Sequence, residues 1–353
     1  MDPEPDADAV AERILNAALG TMDILAIHLG DRLGWYRSLA EDGPATPADL
    51  AQRTGTSERY AREWLEQQAI TGLLTSSDDD GATRRFHLPS AAAEVLTDRN
   101  SLSYLAPLAR MLAGAAVQLP ALQNAYRNGA GVSWQEFGDD ARESQADMNR
   151  PWFERELANA LRQAPGVTSR LQVPQASIAD IGCGAGWSTI ALGRAFPAAK
   201  VIGFDIDAES IDLARANAGP ESAVEFQHID AAGLPEEQFD AVFAFECIHD
   251  MPYPVDVLSA ARRSLRPGGS VIVMDEAVAE FFIPPGDEVE RLMYGFSLLV
   301  CLPDGLSHPD SAATGTVMRP ETLRRYAGAA GFSGVRVLPI EGFGFFRFYE
   351  LTP

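Results

Sequence analysis

The apolar positions of this chain follow two rhythms. In the first half they recur three or four residues apart, the spacing of one face of a helix. Between Val10 and Leu39 they fall at Ile14, Leu15, Leu19, Met22, Leu25 and Leu29, which predicts one or two helices. Thr46–Thr54 and Ser57–Ala69 predict two more around Gly55, with Thr46 and Ser57 placed as N-caps and Pro47 as a first helical residue. An acidic turn at Ser76–Gly81 and a return at Arg84–Leu88 then suggest a wing-like hairpin. Ser101–Arg170 reads as largely helical, with Leu102–Leu119, a loop at Asn128–Ser133, and Trp134–Leu171 broken near Asn149-Arg150-Pro151.

The second rhythm begins near Ser177. Short strand-like runs alternate with helical stretches, Ala241–Glu246 nearly all apolar as expected of a strand covered on both faces. Ile178–Ile181, Lys200–Asp205, Val224–Asp230, Ala241–Glu246, Ser270–Asp275, Val335–Leu338 and Gly344–Leu351 read as seven strands. Helices are predicted between them, one at Val255–Leu265 stopped by Arg266-Pro267-Gly268-Gly269 and one at Glu321–Ala330. The fold class is therefore α/β, a doubly wound and mostly parallel sheet preceded by a mainly helical domain. Three segments follow: a winged-helix-like domain over 1–100, a helical linker over 101–172, and the sheet over 173–353. Residues 277–320 form a long insertion after the fifth strand, and its apolar centre Glu290–Leu302 suits a helical lid.

Composition narrows the partners. No apolar run approaches the ~20 residues of a membrane span, and the acidic N-terminus MDPEPDADAV is unlike a secretion signal. Cys183, Cys247 and Cys301 stand at no metal-ligand spacing and read as reduced thiols of a cytoplasmic protein. A net charge of −22 opposes a nucleic-acid partner. The second helix of the winged pattern offsets Arg59 and Arg62 with Glu58, Glu63 and Glu66, and the wing tip carries Asp78, Asp79 and Asp80. A regulator that reads DNA through this domain is thus the weaker alternative.

The chemistry starts at IADIGCGAG, residues 178–186. Asp180 precedes glycines at 182, 184 and 186, a strand turning sharply into a helix, while Trp187 stands where a dinucleotide fingerprint needs its third glycine. Asp205 ends the second strand nineteen residues after Gly186, near the ~20-residue spacing at which a carboxylate meets ribose hydroxyls. This D-x-G-x-G-x-G turn, with acids ending the next two strands, resembles the class I S-adenosylmethionine-dependent methyltransferases. The resemblance implies that Asp180, Gly182, Gly184 and Gly186 face the amino-acid end of the cofactor. It also gives Asp205 to the ribose, Asp230 to the adenine amino group, Ile206 and Ala231 to the flanks of the ring, and Glu246 to the same cleft. The winged-helix domain resembles that of small-molecule O-methyltransferases, which implies a homodimer and an acceptor pocket with a small aromatic ligand.

His249 follows the fourth strand within Cys247-Ile248-His249-Asp250-Met251. A phenol must lose its proton on methylation, and histidine titrates nearest neutrality. In the HDW-type O-methyltransferases that this tripeptide, HDM, resembles, the histidine is the base; Asp250 is the acid beside it and Glu276 matches an orienting glutamate. The family's second orienting glutamate has no counterpart in Thr316-Val317-Met318-Arg319. That departure leaves two chemistries open, O-methylation with His249 as general base and C- or N-methylation of an indole-type ring that relies on positioning. Trp152, Phe153, Met148, Met293, Phe296 and His28 are candidate pocket residues, though aromatics and methionines at helical spacing are as readily core. No family spacing supports a metal, and S-adenosylmethionine, leaving as S-adenosylhomocysteine, is the implied cofactor.

Overall fold

The computed structural model describes residues 6–79 and 81–353. Asp80 of the expected wing tip and the first five residues of the acidic N-terminus lie outside them. The chain forms two compact units, one running to Ala116 and including Glu143–Met148, the other holding Val117–Arg142 and Asn149–Pro353. The intermediate helical stretch is divided between them.

In the first unit the opening pattern resolves into two helices, Ala7–Arg32 and Trp35–Glu41, parted at Gly34 in the left-handed region. Pro47–Thr54 starts with a capping box between Thr46 and Asp49 and ends at left-handed Gly55. Ser57 takes the N-cap position of Glu58–Ile70 without a side-chain capping bond. Thr75–Ser76 and Phe86–His87 pair antiparallel as the wing hairpin. Trp35, Tyr36, Leu50, Trp64, Leu65 and Phe86 make the core. In contrast, Ile14, Leu15, Leu19 and Met22 of the first helix stay exposed, Ile14 at 65% and Met22 at 64%. Arg59 pairs with Glu63 and Arg62 with Glu58, so the second helix of the motif neutralises its own arginines.

The second unit is built on seven strands, β1 (Ser177–Ile181), β2 (Lys200–Asp205), β3 (Glu225–His228), β4 (Phe239–Phe245), β5 (Leu265–Glu276), β6 (Gly334–Val337) and β7 (Phe346–Thr352). Their order is β3-β2-β1-β4-β5-β7-β6, with β7 antiparallel to both neighbours. The winding reverses between β1 and β4, and ligands of such sheets bind beyond the strand ends at that switch point. Two apolar layers cover the sheet: Ile181, Val242, Leu258 and Tyr326 belong to one, Ile178, Phe243, Leu157 and Phe348 to the other. The expected stop at Arg266-Pro267-Gly268-Gly269 ends the helix Pro254–Ser264, but the residues themselves lie within β5. They make an irregularity there, the pairing with β4 jumping from Phe239–Leu265 to Ala241–Ser270, with Gly268 at φ 85°. The insertion is helical at Glu288–Phe296 and Leu302–Leu306, joined by a wider π-type turn at Ser297–Cys301.

Candidate active site

The three glycines after β1 serve different ends. All have positive φ: 63° at Gly182, 50° at Gly184 and 82° at Gly186. A methyl group on Gly182 would come 2.8 Å from Cys247 Cβ, and one on Gly186 would come 2.7 Å from the Phe226 ring. On Gly184 it would meet nothing within 4 Å. Gly182 and Gly186 therefore let the turn pack, whereas Gly184 borders open space that a ligand can enter. Asp205 holds the turn from the next strand: one oxygen accepts from Gly184 N at 2.7 Å, the other from Asp207 N at 2.8 Å. Each of these oxygens keeps a second lone pair for a ligand hydroxyl. Asp180 is fully buried, and one of its oxygens accepts from Ser188 and Thr189, both at 2.6 Å, tying strand to helix. Its other oxygen has no partner, and burial pushes its pKa up to about 7.

Ile206 projects into solvent beside Asp205, 66% exposed, an apolar surface that suits the face of a purine. Asp205 stands opposite His228 in the β2–β3 register, so Asp230 reaches the same edge two residues on. Asp230 accepts from Ala232 N at 2.9 Å and stays exposed, while Ala231 is packed in the core. An open glycine edge, a ribose-height carboxylate, an apolar platform and a further acid fit S-adenosylmethionine.

The histidine lies across the switch point. Glu246, just after β4, has φ 48°; its backbone N–H donates to Met274 O of β5, and its carboxyl accepts from Asn149. Burial drives that carboxyl up to about 8 against the opposing pull of His249. The His249 ring is buried and charged groups flank both of its nitrogens. Nδ1–H donates to Asp275 Oδ1 at 3.0 Å, with Glu276 Oε2 at 3.4 Å, and Nε2 lies 3.2 Å from Asp250 Oδ1. Burial lowers the ring's pKa, yet Asp250, Asp275 and Glu276 together outweigh it and hold the ring well above 6.5. Burial raises Asp275 as well, but His249 and hydrogen bonds from Glu276 bring it below its ordinary value. Glu276 is raised by burial and by sharing a hydrogen bond with Asp275. Nδ1 of the ring thus faces an acidic pair in which Asp275 is held low and Glu276 high.

Sequence reasoning placed Glu276 as the orienting group, whereas Asp275 makes the direct bond. The two follow each other on a strand and alternation would send them to opposite faces, but at the end of β5 both reach His249. Cys301, whose thiol burial raises to about 12, interacts with both His249 and Thr316. The sequence placed Asp275 at a strand end and Asn149 at a helix break, but not their contacts with His249 and Glu246. Trp152 and Phe153 rest on the 343–346 loop and the sheet, Trp152 5.7 Å from the Phe343 ring and Phe153 5.3 Å from that of Phe245. Met293 is buried and Phe296 half-buried in the insertion; His28 and Met148 belong to the first unit. His249 with Asp275 and Glu276, or with Asp250 and Cys301, brings three metal-capable ligand atoms within 4.8 Å of one another.

Comparison with known proteins gives the same architecture. Residues 179–273 match the family described as a methyltransferase domain, and residues 20–98 match an Rv2258c-like winged HTH domain. In domain order and fold the chain thus resembles the S-adenosylmethionine-dependent methyltransferases that carry an N-terminal winged-helix domain. An O-methyltransferase, cnsE of Penicillium expansum, is 31% identical over 137 residues, 33% of this chain and 49% of that protein. The chain spans about half the length of the curated relatives it matches. Among solved structures, the mitomycin 7-O-methyltransferase MmcR aligns with a TM-score of 0.71 at 23% identity, over 98% of either chain. Human N-acetylserotonin methyltransferase, solved with S-adenosylmethionine, aligns with a TM-score of 0.68 at 21% identity, over 100% of this chain and 99% of that one.

Proposed function

We propose that the protein transfers a methyl group from S-adenosylmethionine to a hydroxyl of a small aromatic acceptor, with His249 as general base. The observation that carries this reading is a histidine at the switch point with a carboxylate fixed on Nδ1. The cofactor supplies an electrophilic methyl on a sulfonium; the chain must align an oxygen with it and take that oxygen's proton. Alignment rests on the turn held by Asp205 and contributes much of any acceleration. Proton removal falls to Nε2 of His249, and the arriving proton makes an imidazolium that Asp275 already stabilises. A phenol loses its proton near pH ~10, so a ring held well above 6.5 is a better-matched base than an ordinary histidine. The same proximity of carboxylates means that the ring must first release its resting proton, which places full activity on the alkaline side of neutrality.

Supplying labelled S-adenosylmethionine with phenols, indoles and aromatic amines, and locating the label by NMR, tests the reading. Label on oxygen supports it. Label on a ring carbon or nitrogen replaces it with the indole-type alternative. No transfer by protein that binds S-adenosylhomocysteine sinks the aromatic-acceptor reading.

The exposed apolar positions of Ala7–Arg32 support a homodimer formed through that helix, since such a stripe is costly to leave in water. Among the described residues no helix is long and apolar enough to cross a membrane. The three cysteines are unpaired, and we place the enzyme in the reducing cytoplasm. The arginines neutralised within Glu58–Ile70 support a role for the winged domain other than DNA reading.

A further inference from the structure

Arg142 is a buried cation that neither the glycine turn nor the histidine uses. It lies on the helix Trp134–Arg162, one turn after Gly138, where the backbone leaves the helical region at φ 73° and ψ −163°. A methyl group on Gly138 would meet nothing within 4 Å, so glycine there serves the backbone break alone. Each guanidinium nitrogen of Arg142 meets a different carboxylate. Nη1 lies 3.0 Å from Asp139 Oδ1, Nε 3.1 Å from Asp207 Oδ2 and Nη2 2.6 Å from Glu209 Oε2. Asp139 and Glu209 are exposed, so water screens those two pairs and they contribute little. Asp207 is nearly buried, and its pair with Arg142 is the stronger one.

Asp207 in turn supports the ribose carboxylate. Its backbone N–H donates to Asp205 Oδ1 at 2.8 Å. Its own Oδ2 caps the helix Ala208–Ala218, accepting from Ser210 N at 3.1 Å and Ser210 Oγ at 2.7 Å. One carboxylate oxygen therefore gathers a helix N-terminus, a hydroxyl and the Arg142 guanidinium. Two acids this close oppose each other's ionisation. Burial raises the Asp205 carboxyl, and the Asp207 charge adds to that rise. Burial raises Asp207 too, but Ser210 and Arg142 bring it below its ordinary value.

We infer that Arg142 is a positioning residue for the cofactor, clasping Asp207 so that its amide and its balanced charge keep Asp205 aimed at the ribose hydroxyls. Without the guanidinium, Asp207 carries an uncompensated charge beside Asp205. The two carboxylates then move apart, and Asp205 Oδ1 falls out of line with its hydroxyl. The inference rests on the methyltransferase reading and on the ribose role of Asp205.

Calorimetric titration with S-adenosylhomocysteine and with its 2′,3′-dideoxy counterpart is the test. The unaltered protein should bind the dideoxy compound at least about a hundredfold more weakly, since two hydrogen bonds to a charged group are lost. Arg142→Met, similar in length but uncharged, should weaken S-adenosylhomocysteine about tenfold and change the dideoxy compound by less than about threefold. A general loosening of the fold would weaken both alike. Asp207→Asn keeps the helix cap and the amide, so Arg142→Met added to it should cost less than about threefold. Should Arg142→Met not fold, Arg142→Lys takes its place: one ammonium cannot reproduce the fork, and ribose-dependent affinity should still fall about threefold. Equal loss for both compounds, no loss for either, or a tenfold effect of Arg142→Met that persists with Asp207→Asn each overturn the inference. So does an unaltered protein that binds both compounds equally. Protein that binds neither removes the methyltransferase reading beneath it.

Discussion

At the scale of single residues, the proposed base mechanism makes the acidic groups around His249 set the pH at which it can act. Asp250, Asp275 and Glu276 face the ring directly, with Glu246 behind them, and all favour its charged form. The rising limb of kcat/KM against pH should therefore lie well above the ~6.5 of an unperturbed histidine. Replacing Asp275 with Asn removes one attracting charge, so the limb should move to lower pH while kcat falls by about tenfold or more through a loosened ring. A limb that stays in place in Asp275→Asn would falsify the electrostatic account. The glycines divide similarly. Gly184→Ala meets open space but an unfavourable φ, costing roughly 1–2 kcal/mol, and should weaken S-adenosylhomocysteine binding more than it lowers Tm. Gly186→Ala collides with Phe226 and should do the reverse. Calorimetry and thermal melts on the two variants check both. The glycine run was plain in the sequence, but the separate duty of each position was not, since it depends on Cys247 and Phe226, which arrive from other strands.

At the scale of elements, most of the sheet was legible. Terminal acids marked β1 to β5, and apolar runs marked all of them except the edge strand β3, because strands buried on both faces leave little room for polar residues. The breaker cluster misled at β5, where a glycine bulge lets a strand continue through residues that usually end one. The insertion was legible as helical but not as a helix with a π-type turn, since hydrogen-bond spacing leaves no trace in the apolar pattern. The first helix was legible from its apolar spacing, yet Ile14, Leu15, Leu19 and Met22 stay outside the core of their unit, against which only its later part packs, through Ala26 and Ile27. Two aspartates placed there, Leu19→Asp with Met22→Asp, should leave the fold intact and shift the protein from dimer to monomer in sedimentation velocity. A wild-type monomer, or a variant that stays dimeric, excludes this helix as the interface.

At the scale of the whole molecule, buried titratable groups link stability to pH. Glu246 and Asp180 ionise near 8 and 7 in the folded chain and near 4 when unfolded, so the folded state keeps protons that the unfolded state has lost. Stability must fall as pH rises across that interval. The raised His249 acts in the same sense: its contribution is complete below ~6.5 and disappears as pH climbs through the folded value. Asp275, held low, contributes above its unfolded value and is lost on acidification. Tm should therefore peak at about pH 5 to 6 and decline toward pH 9. Glu246→Gln should flatten the alkaline decline, and an unchanged slope in that variant would remove Glu246 from the balance. None of this was visible in the charge of −22, which counts ionisable residues without regard to burial.

The grip of Asp205 on Gly184 has a consequence for turnover. The turn is held in shape within the protein itself, by the Asp205 carboxylate on Gly184 N and by Asn217 on Ala185 O, so little ordering is left to do when a nucleoside arrives. A hydroxyl bonded to that carboxylate lies far from the sulfur and is indifferent to whether a methyl group is still attached. Binding of this kind is uniform along the reaction and does not by itself speed the chemical step. On the proposed reading, the spent nucleoside leaves against the same grip that welcomed its precursor, and it competes with fresh cofactor as it accumulates. A cell that uses this enzyme must then clear S-adenosylhomocysteine continuously to keep it working.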